Sequence, residues 1–352
     1  MRTNDNGAPK VGNPQPTRGW AELAPHSAPY VIAQRGTEDE SRCRLATLLL
    51  GAVLLFFTAL AWAAGENTIA VIYPDIGEPY REIFTKIITG IENKIGSRVA
   101  NYPVRSDTDI DTLKASLLRR NTKVVIALGR QGMKTATALN TGIAVVVGGV
   151  LSVPENEARG QPVISLSPDP ALLFARMKAL MPAARRVFVV YDPNINGWLM
   201  KLAKEAALAQ GLEWVAYEAQ DVRSAVRFYQ EIFSVADDRH DVLWLPQDST
   251  TVEESSILPL VLQASWNQSI AVFSSNSAHV RRGVLFSLYP DNVALGRSLA
   301  GLAQGILISG DYGRRGMLPL RDVQSAVNLR TAQHLGINPG RMKNFDTTFP
   351  EQ

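Results

Sequence analysis

The sequence predicts an α/β protein made of two doubly wound parallel-sheet lobes joined by a multi-crossover hinge. From Asn67 onward, short β-branched runs alternate with segments of helical period, which is typical of parallel sheets covered by helices. The alternation restarts after a Pro-containing break near residue 168. A chain of 352 residues with 46% apolar residues is long enough for two lobes, each with its own core.

The pattern of the N-terminal segment predicts that the protein is exported and that this segment is not part of the folded lobes. Residues 1–41 are rich in Pro, Gly, Asn, Ser and Thr, so we expect a disordered extension. Two arginines, the apolar run 45–60 and the segment Ala61-Trp62-Ala63 follow in the order of a secretory signal. We therefore predict a signal peptide over 42–64, with cleavage after Ala63, and a periplasmic location for the remainder.

Two alternatives to cleavage stay open, because the basic region of a signal usually lies near the start of the chain. The true start could lie further along the sequence, or the apolar run could be retained as a membrane anchor, since about 20 apolar residues are enough to span a bilayer. Arg42 and Arg44 indicate that the N-terminal side of the apolar run stays in the cytoplasm. The rest of an anchored form would then lie on the outer face of the cytoplasmic membrane.

The first lobe is predicted to comprise residues 65–167 plus about 290–320. Its first helix carries an apolar stripe of isoleucines at a spacing of four residues: Ile83, Ile87, Ile91 and Ile95. A late helix with apolar residues on one face is assigned to the same lobe. The predicted strands are 69–73, 99–104, 124–128 and 143–147, and the further helices are 109–120, 131–140 and 295–308.

The second lobe is predicted to comprise residues 168–289 plus about 321–337, with 338–352 as a tail. The segment 165–170 is taken as the first crossover, because Asp169-Pro170 suits a helix N-cap and first position. The predicted strands are 187–191, 214–218, 242–245, 270–273, 284–288 and one near 326–329. The predicted helices are 197–209, 222–235, 252–266 and a short one ending at Leu335.

Composition and motifs argue against an enzyme. The net charge of +3 and the absence of a basic block interleaved with aromatic residues exclude a nucleic-acid footprint. The only cysteine, Cys43, precedes the apolar run, and the four histidines are scattered. We find no catalytic motif. The sequence therefore predicts no catalytic residue, no metal and no cofactor.

Several segments resemble one transport family. They are VVYDPNINGWLMKLAKEAALAQGLEW, LWLPQDST, IAVFSSNS, FSLYPDNVALGRSLAGLAQGIL and AVNLRTAQHLGI. They resemble the ABC-transporter substrate-binding proteins that include tryptophan- and tyrosine-associated members, over about 67–337. The resemblance implies a periplasmic-binding fold of the first type that closes on a small molecule. It also implies delivery to an inner-membrane ABC permease with its ATPase, as the binding component of an importer.

The resemblance suggests an amino acid as ligand, with one departure. Amino-acid-binding members often have an acidic residue where this chain has Ser274, Ser275 and Asn276, so an ammonium group would need Asp248 or another carboxylate. Capture by hinge closure works in a monomer, which is the expected state. One alternative function stays open, a membrane-tethered ligand-sensing domain of the same fold. A repressor would need a helix-turn-helix at the N-terminus instead of an apolar run.

Candidate ligand-binding residues follow from strand ends, because open parallel sheets bind ligands beyond the carboxyl ends of their strands. Glycines there also serve tight turns, and Asp, Asn, Ser and Thr also serve as helix caps. Arg130 is the sharpest candidate, since an arginine at a helix start can bind a carboxylate or phosphate. The candidates are Asp75, Glu78, Gly129, Arg130, Gln131, Gly149, Asn194, Asn196, Trp198, Asp248, Ser249, Thr250, Ser275, Asn276 and Tyr289.

Overall fold

The computed structural model describes residues 68–158 and 160–350, which belong to a compact unit spanning Gly65–Gln352. The predicted extension over 1–41 and the predicted signal peptide or anchor over 42–64 lie outside the described residues. Within the described part of the chain, no helix combines the length and the apolarity that crossing a bilayer requires.

Lobe I is built on a six-stranded sheet whose strand order is β11-β5-β4-β3-β1-β2. Each neighbouring pair in this sheet is parallel. The strands are β1 (Ile69–Pro74), β2 (Ala100–Val104), β3 (Val124–Leu128), β4 (Ala144–Val150), β5 (Pro162–Pro168) and β11 (Gly316–Leu320). The helices are α1 (Tyr80–Ile95), α2 (Ile110–Arg119), α3 (Gly129–Ala138), α4 (Glu155–Ala158) and α10 (Asn292–Ser309).

Helices cover both faces of this sheet, as a doubly wound lobe requires. Alternate residues of β1 point to opposite faces: Val71 packs with α1 and α10, and Ile72 packs with α2 and α3. The isoleucine stripe of α1 lies on the first of these faces, with Ile87 and Ile91 fully buried. The late apolar helix, α10, packs in the core of lobe I.

Lobe II is built on a seven-stranded sheet whose strand order is β13-β12-β10-β9-β8-β6-β7. All pairs are parallel except β10 with β12, which is antiparallel. The strands are β6 (Arg186–Tyr191), β7 (Glu213–Glu218), β8 (Asp241–Leu245), β9 (Ala271–Ser274), β10 (Phe286–Pro290), β12 (Val323–Asn328) and β13 (Thr347–Phe349).

Two helical layers sandwich this second sheet. The helices are α5 (Pro170–Leu180), α6 (Pro193–Ala209), α7 (Val222–Val235), α8 (Ile257–Gln268), α9 (Ser277–Arg282) and α11 (Leu329–His334). One face packs α5 and α6 around the fully buried Trp244 and Phe174, and the other packs α7 and α8 around Tyr229. The prediction of two lobes with mostly parallel sheets and alternating helices is confirmed.

The chain crosses between the lobes three times, after β5, after β10 and between β11 and β12. The crossings are tied to one another by backbone hydrogen bonds. The Asp169 N–H donates to the Leu320 carbonyl at 2.8 Å, and the Asp291 N–H donates to the Asp322 carbonyl at 2.9 Å. Arg321 also pairs with Asp169, with an Nη1–Oδ2 distance of 3.2 Å. The three segments therefore form one hinge.

Three expectations need correction. The segment 165–170 is not all crossover, because β5 continues to Pro168, and only then does Asp169 cap α5 by accepting from the Ala171 N–H. Strands β5 and β11 and the short helices α4 and α9 were not predicted. The predicted tail 338–352 is partly ordered structure: a 3₁₀ helix spans Pro339–Met342, and β13 pairs with β12 at the edge of the second sheet.

Helices α1 and α10 pack so closely that their backbones are in contact. A Cβ on Gly296 would overlap the Ile87 carbonyl oxygen, and one on Gly90 would overlap the Val293 carbonyl oxygen. Only glycine permits this separation, because any side chain would force the helices apart. The contact fixes α10, which begins directly at the second crossover.

We expect Gly296→Ala to lower the free energy of unfolding by ~1–3 kcal/mol, because the methyl group cannot fit between the helices. Gly301→Ala is the matched control in the same helix, since no atom lies within 4 Å of the place its methyl group would occupy. That change should stabilise by ~0.5–1 kcal/mol through helix propensity. Urea denaturation of both variants tests the contact, and equal effects would contradict it.

Candidate functional site

The carboxyl ends of the strands in both lobes meet the hinge at a cleft. At its base lies a cavity of about 200 Å³. Helix α1 and strand β5 of lobe I form one wall, loops of lobe II form the other, and the second crossover forms the floor. Its lining residues are Ile83, Leu166, Gln247, Ser275, Asn276, Ser277, Tyr289, Pro290 and Asn292. Parallel sheets present this edge for ligand binding.

The lobe II wall is built on a buried carboxylate, Asp248, which is 5% exposed. Its Oδ2 accepts from the Asp192 N–H at 2.8 Å and from Asn196 Nδ2 at 2.9 Å. Its Oδ1 accepts from the Thr250 and Thr251 N–H groups, each at 2.9 Å. Both oxygens are thus occupied by the protein's own donors, so Asp248 has little left to offer an ammonium group.

Asp192 is used in a similar way. Its Oδ1 accepts from the backbone and side-chain nitrogens of Asn194, at 2.9 and 3.1 Å, and caps α6. Its Oδ2 accepts from Thr250 Oγ at 3.0 Å. Together with Asp248 it joins the loops after β6 and β8 into one unit, which makes Asn196, Asp248 and Thr250 part of the scaffold of the wall.

The loop after β9 is held by a buried histidine. Ser274 Oγ accepts from the Asn276 N–H at 3.0 Å and lies 2.9 Å from His279 Nδ1. Asn276 Oδ1 accepts from the Ala278 N–H, so its Nδ2 is the atom that donates to His279 Nε2 at 3.3 Å. This pattern assigns the neutral Nδ1–H tautomer to His279. The ring therefore orients Asn276, which lines the cavity.

Burial lowers the pKa of His279 to about 4, with Arg282 nearby acting in the same direction and Glu254 opposing it. The ring is therefore neutral near pH 7. Protonation would place an N–H on Nε2 against the Asn276 amide hydrogens, so the loop geometry depends on the neutral form.

Two further lining residues have distinct settings. Ser275 is buried at the end of β9, where its hydroxyl accepts from Trp244 Nε1 at 3.1 Å. The Tyr289 hydroxyl lies 3.1 Å from Thr347 Oγ on β13, so the segment predicted to be a tail supports a residue of the cavity. Both side chains are positioned by neighbours rather than left free at the surface.

The lobe I candidates lie apart from this cavity. Asp75 and Glu78 are exposed in the loop between β1 and α1. The guanidinium of Arg130 turns toward its own lobe, 3.4 Å from the Ser152 carbonyl and 3.5 Å from Glu157 Oε2. Gln131 donates to the Arg105 carbonyl at 3.4 Å.

Two glycines of lobe I have structural reasons for being glycine. Gly129 and Gly149 have φ values of +67° and +69°. Each lies against Phe84, where a Cβ would make a close contact. The left-handed backbone and the packing explain both residues without a ligand.

A family model settles the relationship of the chain to known proteins. Residues 105–340 match the model described as ABC transporter substrate binding protein. The chain belongs to this family. The family resemblance expected from the sequence is thereby confirmed.

Solved structures of other substrate-binding proteins are similar to this one. The ligand-free, open form of CD0873 from Clostridium difficile, a substrate-binding protein with adhesive properties, has 18% identity and a TM-score of 0.56, covering 79% of this chain and 98% of that one. The ABC domain of Streptococcus pneumonia in complex with L-Trp has 17% identity and a TM-score of 0.49, covering 80% and 98%. At 18% identity, the similarity to the CD0873 structure shows the fold alone. No curated protein matches the chain.

This substrate-binding protein has a second, larger groove between its lobes, of about 900 Å³. Residues from Ser152 to Glu155 line it from lobe I, and α6 lines it from lobe II with Asn194 and Trp198. The Trp198 Nε1 atom is buried there without a hydrogen-bond partner among the described residues. Trp198 also packs against the core of lobe II, so this side chain contacts the core as well as lining the groove.

The structure thus divides the candidates of this substrate-binding protein into three sets. The small cavity brings Ser275, Asn276 and Tyr289 together, and the groove brings Asn194 and Trp198 together. The remaining candidates line neither of the two: Asp75, Glu78, Gly129, Arg130, Gln131, Gly149, Asn196, Asp248, Ser249 and Thr250.

Sequence reasoning missed several lining residues of the cavity, among them Ile83, Leu166 and Asn292. Ile83 and Leu166 contribute apolar wall, and nothing in the sequence separates them from ordinary core positions. Asn292 directly follows Asp291, which caps α10, and no sequence signal distinguishes it from an ordinary residue at a helix start. Within the described part of the chain, no group of three or more His, Cys, Asp or Glu side chains is placed to hold a metal ion.

We expect Asp248→Ala to lower the free energy of unfolding by about 2–4 kcal/mol, because several buried donors lose their acceptor. Ser249→Ala, at the exposed neighbouring position, should stay within ~0.5 kcal/mol of wild type. Urea denaturation measures both. An Asp248→Ala protein as stable as wild type would show that the carboxylate does not hold the wall together.

The depressed pKa of His279 predicts a pH dependence of stability. The folded state resists protonation while the unfolded state does not, so stability is lost as the pH falls from 6.5 toward about 4. This one residue should account for ~3 kcal/mol over that window. In His279→Gln the free energy of unfolding should fall less steeply over the same range. Parallel pH profiles for the two proteins would contradict the assignment.

Proposed function

We propose that this protein captures a small solute in the cleft between its lobes and delivers it to the permease of an ABC importer. The observation that carries the proposal is the cavity at the hinge, whose lining comes from lobe I, from lobe II and from the crossover between them. A ligand there touches parts that move relative to one another when the hinge bends, so its binding energy favours the closed form.

The hinge supports this mode of action. The tied crossings allow rotation of the lobes as rigid bodies, because each lobe has its own cores and the joining segments are short. The lobe II wall is held by buried hydrogen bonds before any ligand arrives. A preorganised wall reduces the entropy lost on binding.

Family membership supports delivery to a permease and its ATPase, and substrate-binding proteins of this family act outside the cytoplasm. We propose the same location here, with export through the apolar N-terminal segment, and a monomer as the acting species. Binding without chemical conversion is the proposed activity. An amino acid is the ligand suggested by family resemblance.

Lobe closure can be measured by fluorescence energy transfer in the full chain. Cys43→Ser removes the only cysteine, and Arg119→Cys with Arg223→Cys places one dye on an exposed site of each lobe. A solute that raises the thermal midpoint should also change the transfer efficiency, with one saturation curve for both signals. A pair of dyes at Arg119→Cys and Arg98→Cys, both in lobe I, is the control and should not respond.

The proposal fails if solutes that raise the midpoint leave the interlobe signal unchanged, because binding would then not involve closure. It also fails if amino acids, sugars, nucleosides, short peptides and organic acids all leave the midpoint unchanged. At a hundredfold excess over Kd, a true ligand stabilises by about 2.7 kcal/mol, which a thermal scan resolves.

A further inference from the structure

One residue of the cavity has an unmet hydrogen-bonding need. Asn292 stands at the start of α10, on the floor of the cleft, and lines the cavity. Its Oδ1 atom is buried and has no hydrogen-bond partner among the described residues. A buried acceptor left without a donor costs ~1–3 kcal/mol. In a residue that lines a ligand cavity, such an atom is explained if a bound molecule supplies the donor as the cleft closes around it.

The rest of the cavity is uncharged. The polar groups among the described lining residues are two side-chain amides besides Asn292, two serine hydroxyls and the Tyr289 phenol. The remaining lining residues, Ile83, Leu166 and Pro290, are apolar. Amides and hydroxyls bind hydroxyl, carbonyl and N–H groups well, but they cannot offset the desolvation of a full charge.

The carboxylates next to the cavity serve the scaffold, Asp248 and Asp192 through both oxygens and Asp291 through Oδ1. Asp248 accepts four protein hydrogen bonds. Asp192 accepts from Asn194 and Thr250, and Asp291 caps α10 by accepting from the Ala294 N–H at 2.9 Å. The loop after β9 carries the neutral Asn276, and its side chain is engaged by Ala278 and His279.

We infer that the cavity at the hinge takes a compact, uncharged solute that donates an N–H or O–H hydrogen bond to Asn292, such as a polyol, a sugar or a nucleobase, rather than a zwitterionic amino acid. This inference rests on the proposed function and names its ligand class. The volume of about 200 Å³ lies below the roughly 300–1,000 Å³ typical of drug-sized ligands, which fits a compact molecule.

The hydrogen bond from the solute to Asn292 also makes the site selective among related solutes. A site with a buried acceptor rejects analogues that lack the matching donor far better than an apolar pocket rejects an extra methyl group. Apolar residues of the lobe I wall and of the floor leave room for the flat or carbon-bearing faces of such a solute. Closure then seals the acceptor and its donor together, where the hydrogen bond is strongest.

The test is isothermal titration of the full chain with two sets of probes at equal concentrations. The neutral set is xylitol, D-ribose, myo-inositol and uracil; the zwitterionic set is L-tryptophan, L-tyrosine, L-leucine and L-glutamate. We expect binding within the neutral set. Asn292→Ala should weaken it about tenfold or more, and Asn267→Ala, at an exposed asparagine of α8, should change it less than twofold.

A ligand-side control protects the test against a variant that folds poorly. An N-methylated or O-methylated analogue of the neutral binder, lacking the donor, should bind wild type about tenfold more weakly and bind Asn292→Ala no worse than the parent does. Equal loss in both proteins would show that the donor does not meet Asn292 and would overturn the assignment.

The two proposals fail differently. Binding by an amino acid, with none by the neutral set, overturns the inference and leaves the proposed function standing. Binding by a neutral probe that is unaffected by Asn292→Ala removes the role of that residue. Absence of binding by both sets overturns the inference, and the wider solute screen with interlobe energy transfer then decides the proposed function separately.

Discussion

The structure depends on three chain crossings that are hydrogen-bonded to one another. Because Asp169 bonds to the third crossing and Asp291 to Asp322, the lobes share one hinge rather than three independent linkers. The second crossing leads directly into α10, whose close packing on α1 through Gly90 and Gly296 anchors it in lobe I. The three crossings therefore join the lobes along one side of the cleft.

The chemistry of the cleft follows from where the carboxylates are used. Helix starts and turns need acceptors for their free N–H groups. Asp192 and Asp291 provide them at the starts of α6 and α10, and Asp248 provides them for the turn at Thr250 and Thr251. Using these charges for the scaffold leaves amides and hydroxyls to face the solute. The same residues that stabilise the fold thus restrict the ligands it can accept.

The sequence was sufficient to predict most of the fold. The strand at 124–128 and the isoleucine stripe of α1 carry strong patterns, and both occur where expected. Strand β5 was missed because its polar Ser165 and Ser167 and its two prolines hide an almost wholly buried strand. Strand β13 was missed because a three-residue edge strand has no periodicity to detect.

The candidate site was predicted less completely, for a physical reason. The strand-end rule finds every loop at the correct edge of a sheet, but it cannot tell which side chains the scaffold consumes. Asp248 is a residue type that often binds ligands, but here both of its carboxylate oxygens accept hydrogen bonds from the protein itself. Arg130 has the right position and turns to Glu157. Asn292 was missed because an unmet hydrogen bond is a property of packing that no short motif encodes.

Hydrogen–deuterium exchange with a binding solute tests most directly whether the solute sits between the lobes at the hinge. Protection is predicted to rise together in the loops after β8 and β9, in the β10 crossover and along the α1 and β5 wall of lobe I, since all of these line one cavity. Protection confined to a single lobe, or distributed away from the hinge, would contradict capture in the interlobe cleft.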